Sequence, residues 1–140
     1  MPTLVLAEVT ESIINLEQLD QLVMDKSCGA YVSFKGNVRN HDGGKEVASL
    51  MYEIHPSANE KIKFIAREVM ANFEVEKVAL VHRYGNIAIG DTAFAVAVAA
   101  AHRQAAFDAC SALVNAVKEG LPIWKYQKFS DGTDEWVNCA

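Results

Sequence analysis

The stretch that decides the fold is TAFAVAVAAAHRQAAFDACSALVNAVKEG, residues 92–120. Its first part alternates, with Phe94, Val96 and Val98 separated by alanines, and a period of two is the pattern of a strand with two distinct faces. From Arg103 the period changes. Ala106, Cys110, Leu113 and Val117 recur at helical spacing as one apolar stripe, Gly120 is placed to end the helix, and Pro122 bars its continuation. A strand passing into a helix is therefore predicted. The strand face built only of alanines is small enough to invite close packing by a helix or by a second subunit.

Towards the C-terminus, Ile123 to Phe129 alternates as a strand, and Asp131-Gly132 turns the chain into Glu135-Trp136-Val137, a closing hairpin. Alternation puts Ile123, Lys125 and Gln127 on one face and Trp124 and Tyr126 on the other. Towards the N-terminus, Val78, Leu80, His82 and Tyr84 alternate, and Gly85-Asn86 reads as a turn region. Ser57-Ala58-Asn59-Glu60 fits a capping box that opens a helix with Ile62, Ile65, Val69 and Phe73 along one stripe. Strands are predicted at Ala30 to Val38 and Val47 to His55, joined through a flexible loop at Asn40-His41-Asp42-Gly43-Gly44. A first strand at Leu4 to Val9 leads to a helix capped by Asn15, with Leu16, Leu19, Leu22 and Val23 on its buried side. There is no internal repeat, low-complexity tract or linker. The expectation is one α+β domain over residues 1–140, with a mainly antiparallel sheet and about three helices.

Composition narrows the function classes. Of the 140 residues 51% are hydrophobic, enough apolar surface to exclude global disorder. The longest apolar run, Phe94 to Ala101, is far short of the ~20 residues that span a bilayer. Thirteen Lys and Arg against 18 Asp and Glu argue against a general nucleic-acid binder, which needs a basic face. The opening segment has no positive region before its apolar residues, so a cytoplasmic location is expected. Cys28, Cys110 and Cys139 form no C-x-x-C pair, which suggests neither a disulfide framework nor a thiolate zinc site; Cys110 reads as a small core residue. His41, His55, His82 and His102 lack metal-binding spacing, no G-x-S-x-G turn is present, and nothing local supports Cys28 or Cys139 as a nucleophile. Gly43-Gly44 lacks the G-K-[ST] ending of a phosphate loop.

What stands out is cations at element ends: Arg39, His102 and Arg103, Lys118 and Lys125. Arg offers a planar fork for phosphate, and Lys serves as a point charge or, when desolvated, as a base. The same residues also suit solvated faces and a helix C-terminus, and spacing alone favours that plainer reading.

Five motifs add a resemblance: Phe34-Lys35-Gly36-Asn37-Val38-Arg39-Asn40-His41; Leu50-Met51-Tyr52-Glu53; Val81-His82-Arg83-Tyr84-Gly85 with Gly90-Asp91; Ala101-His102-Arg103 through Ala106-Phe107; and Lys118 with Pro122-Ile123-Trp124-Lys125. In this order, from about Gly29 to Val137, the chain resembles the MoaE family, the large catalytic subunit of molybdopterin synthase. The resemblance implies an α/β hammerhead-type fold and a homodimer. Each subunit would bind a small ubiquitin-like sulfur carrier of the MoaD type, whose Gly-Gly C-terminus arrives as a thiocarboxylate, in a heterotetramer. The implied reaction moves two sulfurs from successive carriers onto cyclic pyranopterin monophosphate (precursor Z), forming the dithiolene of molybdopterin, with no metal or other cofactor. It further implies that Lys118 and Lys125 are the catalytic lysines and that Arg39, His102 and Arg103 meet the phosphate-bearing substrate. Part of the pocket would come from the neighbouring subunit, which makes Arg39 or His102 candidates to act in trans. One position departs from the pattern: where the family often has a carboxylate two residues beyond the second lysine, this chain has Gln127, an amide that hydrogen-bonds but is no base. The rival from another class is a non-catalytic module that only holds a ubiquitin-like carrier tail. Pterin binding separates the two.

Overall fold

Residues 2–138 are described by the computed structural model, and ten of their twelve elements follow the order the periodicity predicts. These are β1 (Thr3–Thr10), α1 (Leu16–Val23), β2 (Ala30–Asn37), β3 (His41–Asp42), β4 (Lys45–Ile54), α2 (Ala58–Met70), β5 (Lys77–Arg83), β6 (Gly85–Ile87), β7 (Thr92–Ala100), α3 (Arg103–Gly120), β8 (Ile123–Phe129) and β9 (Asp134–Val137). One sheet has the order β1-β5-β7-β2, and only its β1–β5 pair is parallel. The other runs β3-β4-β8-β9, with β6 also paired to β4. The result is an α+β fold with mainly antiparallel sheets and three helices, as expected.

The two faces of β7 explain the layering. Phe94, Val96 and Val98 join Val78 and Leu80 of β5 in a core completed by Ile62, Ile65 and Ala66 of α2 and by Ala106, Cys110, Leu113 and Val117 of α3. On the opposite face Ala79, Ala95, Ala97 and Ala99 lie under Leu19 and Val23 of α1. The alanine face therefore receives a helix of its own chain. That helix starts where expected, because the Asn15 side chain accepts a hydrogen bond from the Gln18 N–H at 3.0 Å. Cys110 is buried as predicted, and burial pushes its thiol up to about 11. Among the described residues no helix is long and apolar enough to cross a membrane.

Four local expectations are corrected. Asn40 to Gly44 is not a loose loop: Asp42 pairs with Lys45 across a two-residue Gly43-Gly44 turn with φ of 58° and 78°, the left-handed pair that a tight hairpin of this kind requires. Gly85-Asn86 is part of a short strand, because β4 offers Leu50, Met51 and Tyr52 as pairing partners. Ser57 makes no side-chain cap, since its hydroxyl lies 2.8 Å from His55 Nδ1. Gly120 is the last helical residue rather than a left-handed stop, and it is small for a packing reason: a Cβ there would stand 3.3 Å from Ile65 Cδ1.

Candidate active site

The tail of β2, the β3 turn and the middle of β8 meet the C-terminal end of α3 around a cleft of about 180 Å³. Three of the five predicted cations line it: Arg39, Lys118 and Lys125. Each is placed by backbone rather than by chance of side-chain reach. Lys118 sits in the last turn of α3, where the helix dipole favours a cation, and its neighbour Val117 is fully buried and anchors that turn. Lys125 lies on β8 between Tyr52 of β4 and Val137 of β9. Arg39 follows Val38, whose N–H donates to the Asp91 carbonyl at 2.9 Å and whose carbonyl accepts from Gly90 at 2.8 Å. The Arg39 guanidinium is 3.6 Å from Asp42 Oδ1 and remains two-thirds exposed at 66%.

His102 and Arg103 are elsewhere. They occupy the N-terminal end of α3, both exposed, roughly 22 Å along the axis from Lys118 at ~1.5 Å per residue. His102 holds the N-cap position with extended backbone (φ −127°, ψ 149°), yet its side chain makes no cap hydrogen bond, and the first turn carries no acidic residue. A cation there runs against the helix dipole.

Three cleft residues were not singled out as site residues by sequence reasoning. His82 is 1% exposed, stacked on Phe94 with ring centroids 5.2 Å apart and met edge-on by Tyr52 at 5.0 Å. Its Nδ1 lies 2.8 Å from the Arg83 carbonyl, which fixes the proton on Nδ1 and leaves Nε2 as the acceptor. Burial, assisted by the charge of Lys118 and opposed by the carbonyl bond, pushes the imidazole down to about 4. His82 is thus neutral at pH 7. Its only sequence signal was a polar residue within an otherwise apolar strand. The second and third are a pair, Asp42 and Gln127. Gln127 is 2% exposed, and its Nε2 donates to Asp42 Oδ2 at 2.8 Å and to Glu135 Oε1 at 3.0 Å. That bond first, and then the charges of Lys125 and Arg39, hold the Asp42 carboxyl below its ordinary range.

Chemically the cleft offers a guanidinium fork, two ammonium groups, one ionised carboxylate, the neutral imidazole of His82 and the imidazole of His41. This set suits a phosphate-bearing substrate and the stabilisation of a developing oxyanion. Among the described residues no three His, Cys, Asp or Glu side chains gather as metal ligands. Cys28 is partly buried and lines no part of the cleft, and Cys139 lies outside the described residues.

Known proteins share this arrangement of elements. A family model described as "MoaE protein" matches residues 9–120. A molybdopterin synthase catalytic subunit from Dictyostelium discoideum is 34% identical over 137 residues, covering 94% of this chain and 87% of that one. Its counterpart in Bacillus subtilis is 34% identical over 131 residues, covering 93% and 83%. Among solved structures, molybdopterin synthase from Staphylococcus aureus superposes with a TM-score of 0.86 at 31% identity over 94% of this chain and 96% of that one.

Proposed function

The chain belongs to the MoaE protein family, and its function is that of a molybdopterin synthase catalytic subunit; within that function we propose that Arg39, Lys118 and Lys125 form the half-site supplied by one protomer. The substrate is cyclic pyranopterin monophosphate. The sulfur comes from the C-terminal thiocarboxylate of a small ubiquitin-like carrier of the MoaD type, bound by each subunit of a homodimer in a cytoplasmic heterotetramer. Arg39 takes the phosphate on its planar fork. Lys118 stands at the carrier's terminus, polarises its carbonyl and stabilises the oxyanion formed when that carbonyl is attacked. Lys125 orients the pterin and assists proton transfer.

His102 and Arg103 complete the site from the other protomer. What supports this is their position: they are exposed, uncapped and too far along α3 to reach their own chain's cleft. The observation that carries the whole reading is the convergence of Arg39, Lys118 and Lys125 from three separate elements on one cleft beside a neutral His82.

The test mixes the purified chain with a thiocarboxylated carrier and cyclic pyranopterin monophosphate and reads the fluorescence of the oxidised product. Product is expected in proportion to carrier consumed. Lys118→Ala is expected to lower turnover by about a hundredfold or more, the usual effect of removing one oxyanion-stabilising group, with carrier binding unchanged. Retained turnover in that variant overturns the assignment of Lys118.

A further inference from the structure

We propose that Asp42 is a positioning residue of this site: clamped by Gln127, it holds the Arg39 guanidinium at its working place in the cleft and balances the charge of Lys125. The proposal rests on the functional reading above. Its basis is a chain of contacts across three elements. Glu135 on β9 stands opposite Gln127 on β8 and takes one of the amide's two N–H donors. The other donor goes to Asp42 on the β3 hairpin. Both donors of a nearly fully buried amide are thereby committed to carboxylates, a geometry that fixes Asp42 Oδ2 and leaves Oδ1 facing Arg39 at 3.6 Å.

Without that clamp Asp42 would sit at the tip of a two-residue strand, and a guanidinium tethered to it would share its freedom. The role is therefore orientation rather than attraction. Asp42 is negative in a cation-lined cleft and by itself opposes an anionic substrate. Removing its charge is expected to lower kcat while leaving KM for the pterin unchanged or lower, a split that a merely structural loss does not produce.

The titratable and charged groups around Asp42 are Arg39 and His41 on its own hairpin, Lys45 paired to it on β4, His82 on β5, Lys118 from α3, Lys125 on β8, and Glu135 behind Gln127. The Gln127 hydrogen bond first, and then the charges of Lys125 and Arg39, keep the carboxylate ionised through the neutral range. Turnover by the wild-type protein should then show an acid limb as Asp42 protonates, below the ordinary carboxylate range.

The experiment measures kcat, KM and the pH profile with thiocarboxylated carrier and cyclic pyranopterin monophosphate, alongside carboxyl NMR titration of Asp42 in the unliganded protein. Asp42→Asn is expected to lose about tenfold in kcat, with no rise in KM, and to lose the acid limb. Asp42→Glu should restore part of kcat. Gln127→Leu removes the donor that favours the ionised form, so the Asp42 titration and the acid limb should both move to higher pH. A productive wild type whose Asp42→Asn variant keeps its kcat and its acid limb overturns this proposal alone, as does a variant that raises KM with kcat intact. A wild type that binds carrier yet makes no product overturns the functional reading, and this one with it.

Discussion

The two ends of α3 are built on opposite principles. At the C-terminal end Lys118 follows the fully buried Val117, agrees with the helix dipole and faces a cleft whose other residues are held by strand pairing and buried hydrogen bonds. At the N-terminal end His102 and Arg103 are exposed, the Arg103 charge opposes the dipole, and the helix lacks a side-chain cap. Stability alone would place Ser, Asp or Asn where His102 stands. The difference teaches that one end is ordered by contacts within the chain, whereas the other presents polar groups that no capping contact of its own helix uses; the functional reading proposed above assigns that second end to the neighbouring protomer.

Mixing protomers tests that comparison most severely. Arg103→Ala and Lys118→Ala homodimers should each be nearly inactive. An equal mixture should recover roughly a quarter of wild-type turnover, because half the dimers are mixed and each carries one intact site in a two-fold assembly. Arg39→Ala mixed with Lys118→Ala should recover nothing, since both residues line one chain's cleft. Of the two residues considered for action in trans, the proposed reading assigns that role to His102 and keeps Arg39 with its own chain's cleft. Recovery in the Arg39 mixture, or none in the Arg103 mixture, breaks the assignment of the two ends.

A second prediction probes the ordered end. Gln127→Glu would return the carboxylate that the family often carries, but here it would crowd three carboxylates around one buried point and lose both amide donations. The variant is expected to lose about 3–6 kcal/mol of stability at pH 7, the scale of two hydrogen bonds to charged groups. Crowding raises a carboxyl pKa in the folded state, so the introduced ionised group destabilises above that pKa and the loss shrinks as pH falls through it. Urea denaturation at pH 7 and pH 5 reads the sign; equal losses at both would show that charge crowding is not the cause.

The smallest effect is expected at the other end. His102→Asp supplies the missing cap acceptor and a favourable charge, so α3 should gain about 1 kcal/mol by denaturant melting while product formation falls. A variant that gains stability and keeps full turnover would remove His102 from the site.

Much of this was legible in the chain, for identifiable reasons. The switch from Phe94-Val96-Val98 alternation to the Ala106-Cys110-Leu113-Val117 stripe is a local pattern, and local patterns survive into the fold. Arg39, Lys118 and Lys125 were visible as cations at or near element ends. Asp42 was not, because its meaning depends on Gln127, 85 residues away, and on a hairpin that the Gly43-Gly44 pair permits but does not announce. Gln127 was legible only as a departure from the family pattern, and the structure shows it as the hub of a different arrangement. The Ser57 cap failed because His55 competes for the same hydroxyl.

By itself the sequence determined the helices and the longer strands, the buried stripes and the inventory of charges, since these follow from side-chain periodicity and residue chemistry within a few positions of the chain. Only the tertiary structure decided which charges meet. Strand register and helix length divide the five cations between a cleft and a surface some 22 Å apart along α3, and both are set by pairing and packing between distant segments, where local propensity has no reach.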